Sequence, residues 1–169
     1  MTDPVIEVQD LCFRYPDGTQ ALRGVNFQLY AGETVALFGA NGSGKTTFVL
    51  HLNGLLHGEG VVRICGLPVS GDNLPLVRRK VGLVFQDSDE QLFMPTVLED
   101  VAFGPLNRGL SRQEAFDAAR EALAETGMSD CASRPPYHLS AGEKRRAALA
   151  GVLAMRPEIL VLDEPTTFL

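Results

Sequence analysis

The chain has 169 residues, 45% hydrophobic and 21% charged, the make-up of one globular domain with its own core. A net charge of −6 argues against a free-standing nucleic-acid binder, which needs a basic excess to displace counterions from phosphates. No apolar run reaches the ~18 residues that cross a bilayer, and the start carries no secretory signal pattern, so a cytoplasmic location is expected.

Strands and helices alternate along the chain. Residues 5–11 predict a strand, followed by a turn at Pro16, Asp17 and Gly18. Residues 25–29 alternate apolar and polar, as a strand with one wet face does. Residues 34–38 are continuously apolar and predict a strand buried on both faces. A glycine-rich loop follows, then a helix over 45–56, then strands at 61–64 and 81–85. Between about 91 and 140 the character turns helical. A helix is expected over 114–126, capped by Ser111 and ended by Gly127. Another is expected over 141–155, stopped by Pro157, before a last strand at 159–162. Cys12, Cys65 and Cys131 are scattered and form no metal or disulfide pattern, and His51, His57 and His138 have no partners at ligand spacing. The basic runs 78–80 and 144–146 read as solvated helix faces or ends.

The strongest signal is Gly39, Ala40, Asn41, Gly42, Ser43, Gly44, Lys45 and Thr46. It fits G-x-x-x-x-G-K-[ST] between an expected strand and an expected helix. Glycines let successive N–H groups curl around a phosphate, and the helix start adds free donors and the positive end of its dipole. Lys45 is placed to reach β- and γ-phosphates, and the Thr46 hydroxyl to bind Mg²⁺. Thr47 closes the set of candidate phosphate contacts. The loop implies a nucleotide without saying which nucleotide machine.

At the other end, four apolar residues run into Asp163 and Glu164. Carboxylates at the C-terminal end of a strand lie where open α/β sheets collect ligands. Asp163 is the expected Mg²⁺ partner and Glu164 the candidate general base for the attacking water.

Between these motifs, Leu139-Ser140-Ala141-Gly142-Glu143 resembles the signature of ABC ATPases, usually Leu-Ser-Gly-Gly-Gln. Ala141 and Glu143 depart from it, and Ser140 with Glu143 also reads as a capping box. The resemblance covers essentially the whole chain. It implies a P-loop NTPase of α/β class: a mixed sheet core, an N-terminal antiparallel β-subdomain and an inserted helical subdomain near 91–140, within one domain over 1–169. It implies that Tyr15 stacks on adenine, that Gln86 contacts Mg²⁺ and takes part in hydrolysis beside Lys45 and Glu164, and that Ser140 and Gly142 close over ATP held by a second ATPase subunit. The segments 86–105 and 143–155 are similar to the cobalt/nickel and energy-coupling-factor branch. That branch implies a transport ATPase at the cytoplasmic face of a bacterial or archaeal membrane, docked under integral membrane coupling subunits and driving import of a transition metal or vitamin. Leu92 and Phe93 are the docking candidates. The family continues past Thr166-Thr167-Phe168-Leu169 with another core strand, so the last core strand is expected to be missing and turnover to be slow or absent. A fragment that binds ATP without turnover is the alternative, and a soluble ABC protein of translation or DNA repair a third.

Overall fold

The computed structural model describes residues 3–87 and 91–164, which fall into two compact units dividing between Val81 and Gly82. In the first unit, strands β1 (Ile6–Arg14), β2 (Gln20–Leu29), β3 (Glu59–Ile64) and β4 (Leu67–Pro68) form an antiparallel sheet in the order β2-β1-β3-β4. Ile6 lies opposite both Leu29 and Ile64, so the alternating apolar residues Ile6 and Val8 share a face with Ile64. The register shifts past Val8, where Asp10 takes a left-handed φ of 47° and exchanges two hydrogen bonds with Asn26. Helix α1 (Lys45–Leu52) covers this sheet with Phe48, Val49 and Leu52, and Phe48 meets Phe27 edge-on at 5.5 Å.

The helix ends earlier than the expected 45–56. Asn53 caps it and Gly54 turns left-handed at φ +69°, the usual way to close a helix. Helix α2 (Leu74–Lys80) follows, unforeseen in the sequence. Its Arg78 donates to the carbonyls of Asn53 and Gly54, so one member of the first basic run caps the end of α1.

Residues 34–38 depart most from expectation. They form no strand, and Val35, Leu37 and Phe38 are 49%, 43% and 92% exposed. Apolar composition gives a segment the tendency to be a strand, but a strand exists only when a neighbour accepts its hydrogen bonds. Among the described residues none pairs with this one.

In the second unit, β5 (Val81–Val84, all but its first residue in this unit) pairs with β6 (Ile159–Leu162), and helices α3 (Val97–Asn107), α4 (Arg112–Glu125) and α5 (Ala141–Leu153) pack together. β6 is only half buried: Ile159 is covered, whereas Leu160 and Leu162 are exposed. α4 and α5 start at Ser111 and Ser140, each with a complete capping box to a glutamate three residues on. α3 starts at Thr96, which accepts from the N–H of Glu99 and donates to its carboxylate. The helical core is built on small residues, with Ala102, Ala119, Ala122, Ala147 and Ala150 around Val97, Val101, Leu123 and Met128. Alanines let the helix axes approach closely, and Leu123 and Met128 fill the space between. Val84, Ala148 and Val152 join β5 to α5, and a methyl on Gly82 would sit 2.4 Å from Val152, so only glycine fits there.

Candidate functional site

The first unit carries the glycine loop. Gly42 and Gly44 take φ values of +77° and +95°, conformations open to glycine, and Gly44 is the N-cap of α1. Gly44 also lies against β2, since a methyl there would stand 2.7 Å from the carbonyl oxygen of Ala21. Ser43 donates its N–H to Ala40, and its hydroxyl leans over Gly39. The Lys45 amine curls back along the loop to the carbonyls of Gly39 and Ala40, at 2.8 and 3.0 Å. Ala40, Asn41, Gly42, Ser43 and Thr46 are exposed. The arrangement presents a lysine ammonium, glycine-rich backbone and the first free N–H groups of α1 in one short stretch, which is what an anionic phosphate requires.

Thr47 behaves differently from Thr46. It is 6% exposed and its hydroxyl lies 2.9 Å from that of Tyr15. The Tyr15 ring stands edge-on to Phe13 at 4.9 Å, and Phe13 in turn meets His51 edge-on at 4.9 Å. His51 Nδ1 sits 2.7 Å from the Thr47 carbonyl, and its Nε2 has no hydrogen-bond partner among the described residues. Burial holds the His51 pKa below its usual value, so the ring is neutral, and a donating Nδ1–H matches the carbonyl acceptor. The family resemblance implies that Tyr15 stacks on adenine. Its hydroxyl is also anchored to the residue that ends the loop, which no motif spacing revealed.

The second unit carries the acids and the signature. Asp163 is buried, with its N–H donating to the Val84 carbonyl at 3.0 Å. Glu164 takes a left-handed φ of 47°, rare for a residue with a side chain. Gln86, just beyond β5, is exposed. Its neighbour Phe85 donates its N–H to the Gln91 side chain, which reaches back to the Leu83 carbonyl, so Gln91 extends the ladder where β5 stops. Phe93 is exposed and edge-on to Phe103 at 5.0 Å, whereas Leu92 packs against the helical core. Of the two docking candidates, only Phe93 offers its side chain to a partner. Buried Asp100 accepts the N–H groups of Phe93 and Met94, fixing that turn, and burial raises its pKa.

At the signature, Ser140 is exposed and its hydroxyl is engaged twice. It donates to Glu143 at 2.8 Å and accepts the Glu143 N–H at 3.3 Å. The other Glu143 oxygen takes Arg134 at 3.1 Å and Cys131 Sγ at 3.6 Å. Hydrogen bonds from the Ser140 backbone and side chain, then the Arg134 charge, bring the Glu143 carboxyl down to about 2. The negative charge that Glu introduces in place of Gln is therefore paired within the chain. Gly142 lies at N2 of α5 with open space around it.

The second basic run is not merely solvated. Arg145 Nη1 donates to the carbonyls of Phe85 and Gln86, and Nη2 to those of Asp163 and Glu164. Nothing in the sequence pattern marked it, since a helix-borne Arg among Lys and Arg looks like surface. Among the described residues no cluster of three His, Cys, Asp or Glu side chains could hold a metal ion, and no helix is long and apolar enough to cross a membrane.

A glycine loop entering a helix through Lys-Thr, and a strand ending in paired acids, define a P-loop nucleotide-binding domain of the ABC type. The ABC transporter family matches residues 22–167, and the chain belongs to it. A Geobacter sulfurreducens protein provisionally named as an ABC transporter ATP-binding protein is 58% identical over 168 residues, covering 99% of this chain and 68% of its own length. The energy-coupling factor transporter ATP-binding protein EcfA of Methanocaldococcus jannaschii is 54% identical over 165 residues, covering 96% and 59%. Among solved structures, cbiO1 from Clostridium perfringens, part of the ABC transporter complex cbiONQ, superposes with a TM-score of 0.86 at 40% identity, covering 99% of this chain and 68% of that one. The chain thus spans about three fifths to two thirds of the length of these relatives.

Proposed function

We propose that this chain is the ATP-binding and ATP-hydrolysing part of an ABC-type importer of the energy-coupling-factor branch, driving uptake of cobalt, nickel or a vitamin. The observation that carries the reading is the loop 39–46, with its left-handed glycines and the Lys45 amine folded along it. The likeness to EcfA and to a component of a cbiONQ complex supports the branch. The two units form one ATPase domain in this reading, with residues 91–140 as its helical subdomain.

The roles divide as follows. Tyr15 stacks on adenine, held by its bond to Thr47. Gly39 to Gly44 offer main-chain N–H groups, and Lys45, Thr46 and Thr47 complete the phosphate contacts. Thr46, Gln86 and Asp163 hold Mg²⁺, which when bound neutralises charge on the phosphates. The exposed Thr46 hydroxyl and Gln86 amide are the neutral oxygens that a magnesium ion accepts beside one carboxylate. Glu164 orients and deprotonates the attacking water. Ser140 and Gly142 close on the nucleotide of a second ATPase subunit, identical or related. Phe93 and Phe103 present an aromatic pair to a membrane coupling subunit, at the cytoplasmic face of the membrane.

The test measures ATP affinity and phosphate release on one sample, with and without the membrane partner. Glu164→Gln should retain ATP and lose turnover by about 10²–10⁴-fold, the contribution of a placed general base. Failure to bind ATP with Mg²⁺, or binding unchanged in Lys45→Ala, would refute the reading. Binding without phosphate release in the unmodified chain would favour a nucleotide-binding fragment instead.

A further inference from the structure

Arg145 makes one guanidinium serve four main-chain carbonyls. Nη1 reaches Phe85 at 2.9 Å and Gln86 at 2.7 Å, and Nη2 reaches Asp163 at 2.6 Å and Glu164 at 2.9 Å. These carbonyls lie just past the ends of β5 and β6. Consecutive carbonyls of an extended strand face opposite ways. The left-handed φ of 47° at Glu164 turns its peptide so that the Asp163 and Glu164 oxygens reach the same nitrogen. A strained backbone persists only where its surroundings over-determine it, and here a charged donor does so through charge-assisted bonds, the stronger kind. The planar fork of arginine is the side chain that can address two pairs of acceptors at once; lysine offers donors from a single point.

Arg145 is the fifth residue of α5, so it rides on the helix that Ser140 opens. An α-helix rises about 1.5 Å per residue and moves as a rod. Any displacement of the Ser140 end is therefore carried to the backbone of Gln86 and Glu164. We propose that Arg145 is a positioning residue that holds Gln86 and Glu164 in register with the signature helix, so that the groups assigned to hydrolysis are aligned by the helix assigned to closure. The proposal rests on the ATPase reading above.

The test uses Arg145→Gln and Arg145→Lys in the intact protein. Both should keep the ATP KM within a few-fold and lose on the order of 10²-fold in kcat, the scale of a 1 Å misplacement. Lysine should not restore the rate, although it keeps the charge. Hydrogen exchange supplies a second readout. The Phe85 and Asp163 amides should exchange at least about tenfold faster in both variants, while those of Ala147, Ala148 and Ala150 in α5 stay protected. Unchanged exchange at Phe85 and Asp163 would overturn the clamp. Wild-type kcat in either variant, full rescue by lysine, or a loss confined to KM would overturn its positioning role. Absence of phosphate release in the unmodified protein would instead show that the ATPase reading itself has failed, before any variant is compared.

Discussion

Replacing Gly44 by alanine tests the loop at its tightest point. Two costs add. A residue with a Cβ pays about 1–2 kcal/mol in left-handed backbone, and φ +95° lies beyond the usual left-handed well. The new methyl would also stand 2.7 Å from the Ala21 carbonyl oxygen and 3.2 Å from Leu22 Cδ2. Ala21 lies within β2, between Gln20 and Leu22, whose register partners are Arg14 and Phe13, so the loop must yield rather than the strand. Overpacking of this kind costs about 1–3 kcal/mol, giving about 2–5 kcal/mol for Gly44→Ala in all. Gly42→Ala is the internal control. Its φ is also positive, at +77°, but no atom lies within 4 Å of the added methyl, so it should cost only the backbone share. Urea unfolding of the three proteins isolates the contact as the difference between the two variants. A Gly44→Ala variant no less stable than Gly42→Ala would refute the argument that the loop is wedged against β2.

Leu123→Ala should destabilise by about 2–5 kcal/mol, because the alanines around it cannot expand into the cavity; denaturant titration would show it. Acid should act in two windows. The folded-state pKa of His51 lies below 6.5, so the stability it contributes is present above that value and lost as pH falls below it; His51→Gln should flatten this limb of a pH–stability curve. The Glu143 carboxyl falls from 4.5 to about 2, so its contribution is present above pH 4.5 and lost as pH drops toward 2, and Glu143→Gln should remove that second limb. Tyr15→Phe keeps the ring but strips the 2.9 Å bond from Thr47. It should cost about 0.5–1.5 kcal/mol in thermal or chemical unfolding.

Local chemistry made some parts of this structure readable in advance. Ser111 caps α4 and Ser140 with Glu143 starts α5 as expected, because a cap is satisfied within four residues; α4 begins at Arg112 rather than 114, since Glu114 completes a capping box with Ser111. The four-residue strand β6 has the expected bounds. Features that depend on distant partners were hidden. The segment 34–38 reads as a strand by composition, yet its hydrogen bonds need a neighbour that no local signal supplies. α3 lies within the stretch expected to be helical, but its bounds rest on packing that no local signal supplies: Pro105 is buried near its end and Gly104 makes room for Met155. Around the candidate site, spacing alone predicted a glycine loop leading into α1 and two acids just past β6, and the backbone has both. The bonds of Tyr15 to Thr47 and of Arg145 to four carbonyls join residues 18 to 60 positions apart, or meet main-chain atoms that carry no residue identity.

The doubly engaged hydroxyl at the head of α5 has a kinetic corollary. A phosphate that recruits Ser140 must compete with a carboxylate already seated on the same oxygen, and that carboxylate stays ionised down to about pH 2. In the proposed ATPase reading, capture would be an exchange of one anion for another, with the Arg134 ion pair left to hold Glu143 once Ser140 turns away. Weakening that tether would leave helix start and phosphate in sharper rivalry for a single proton.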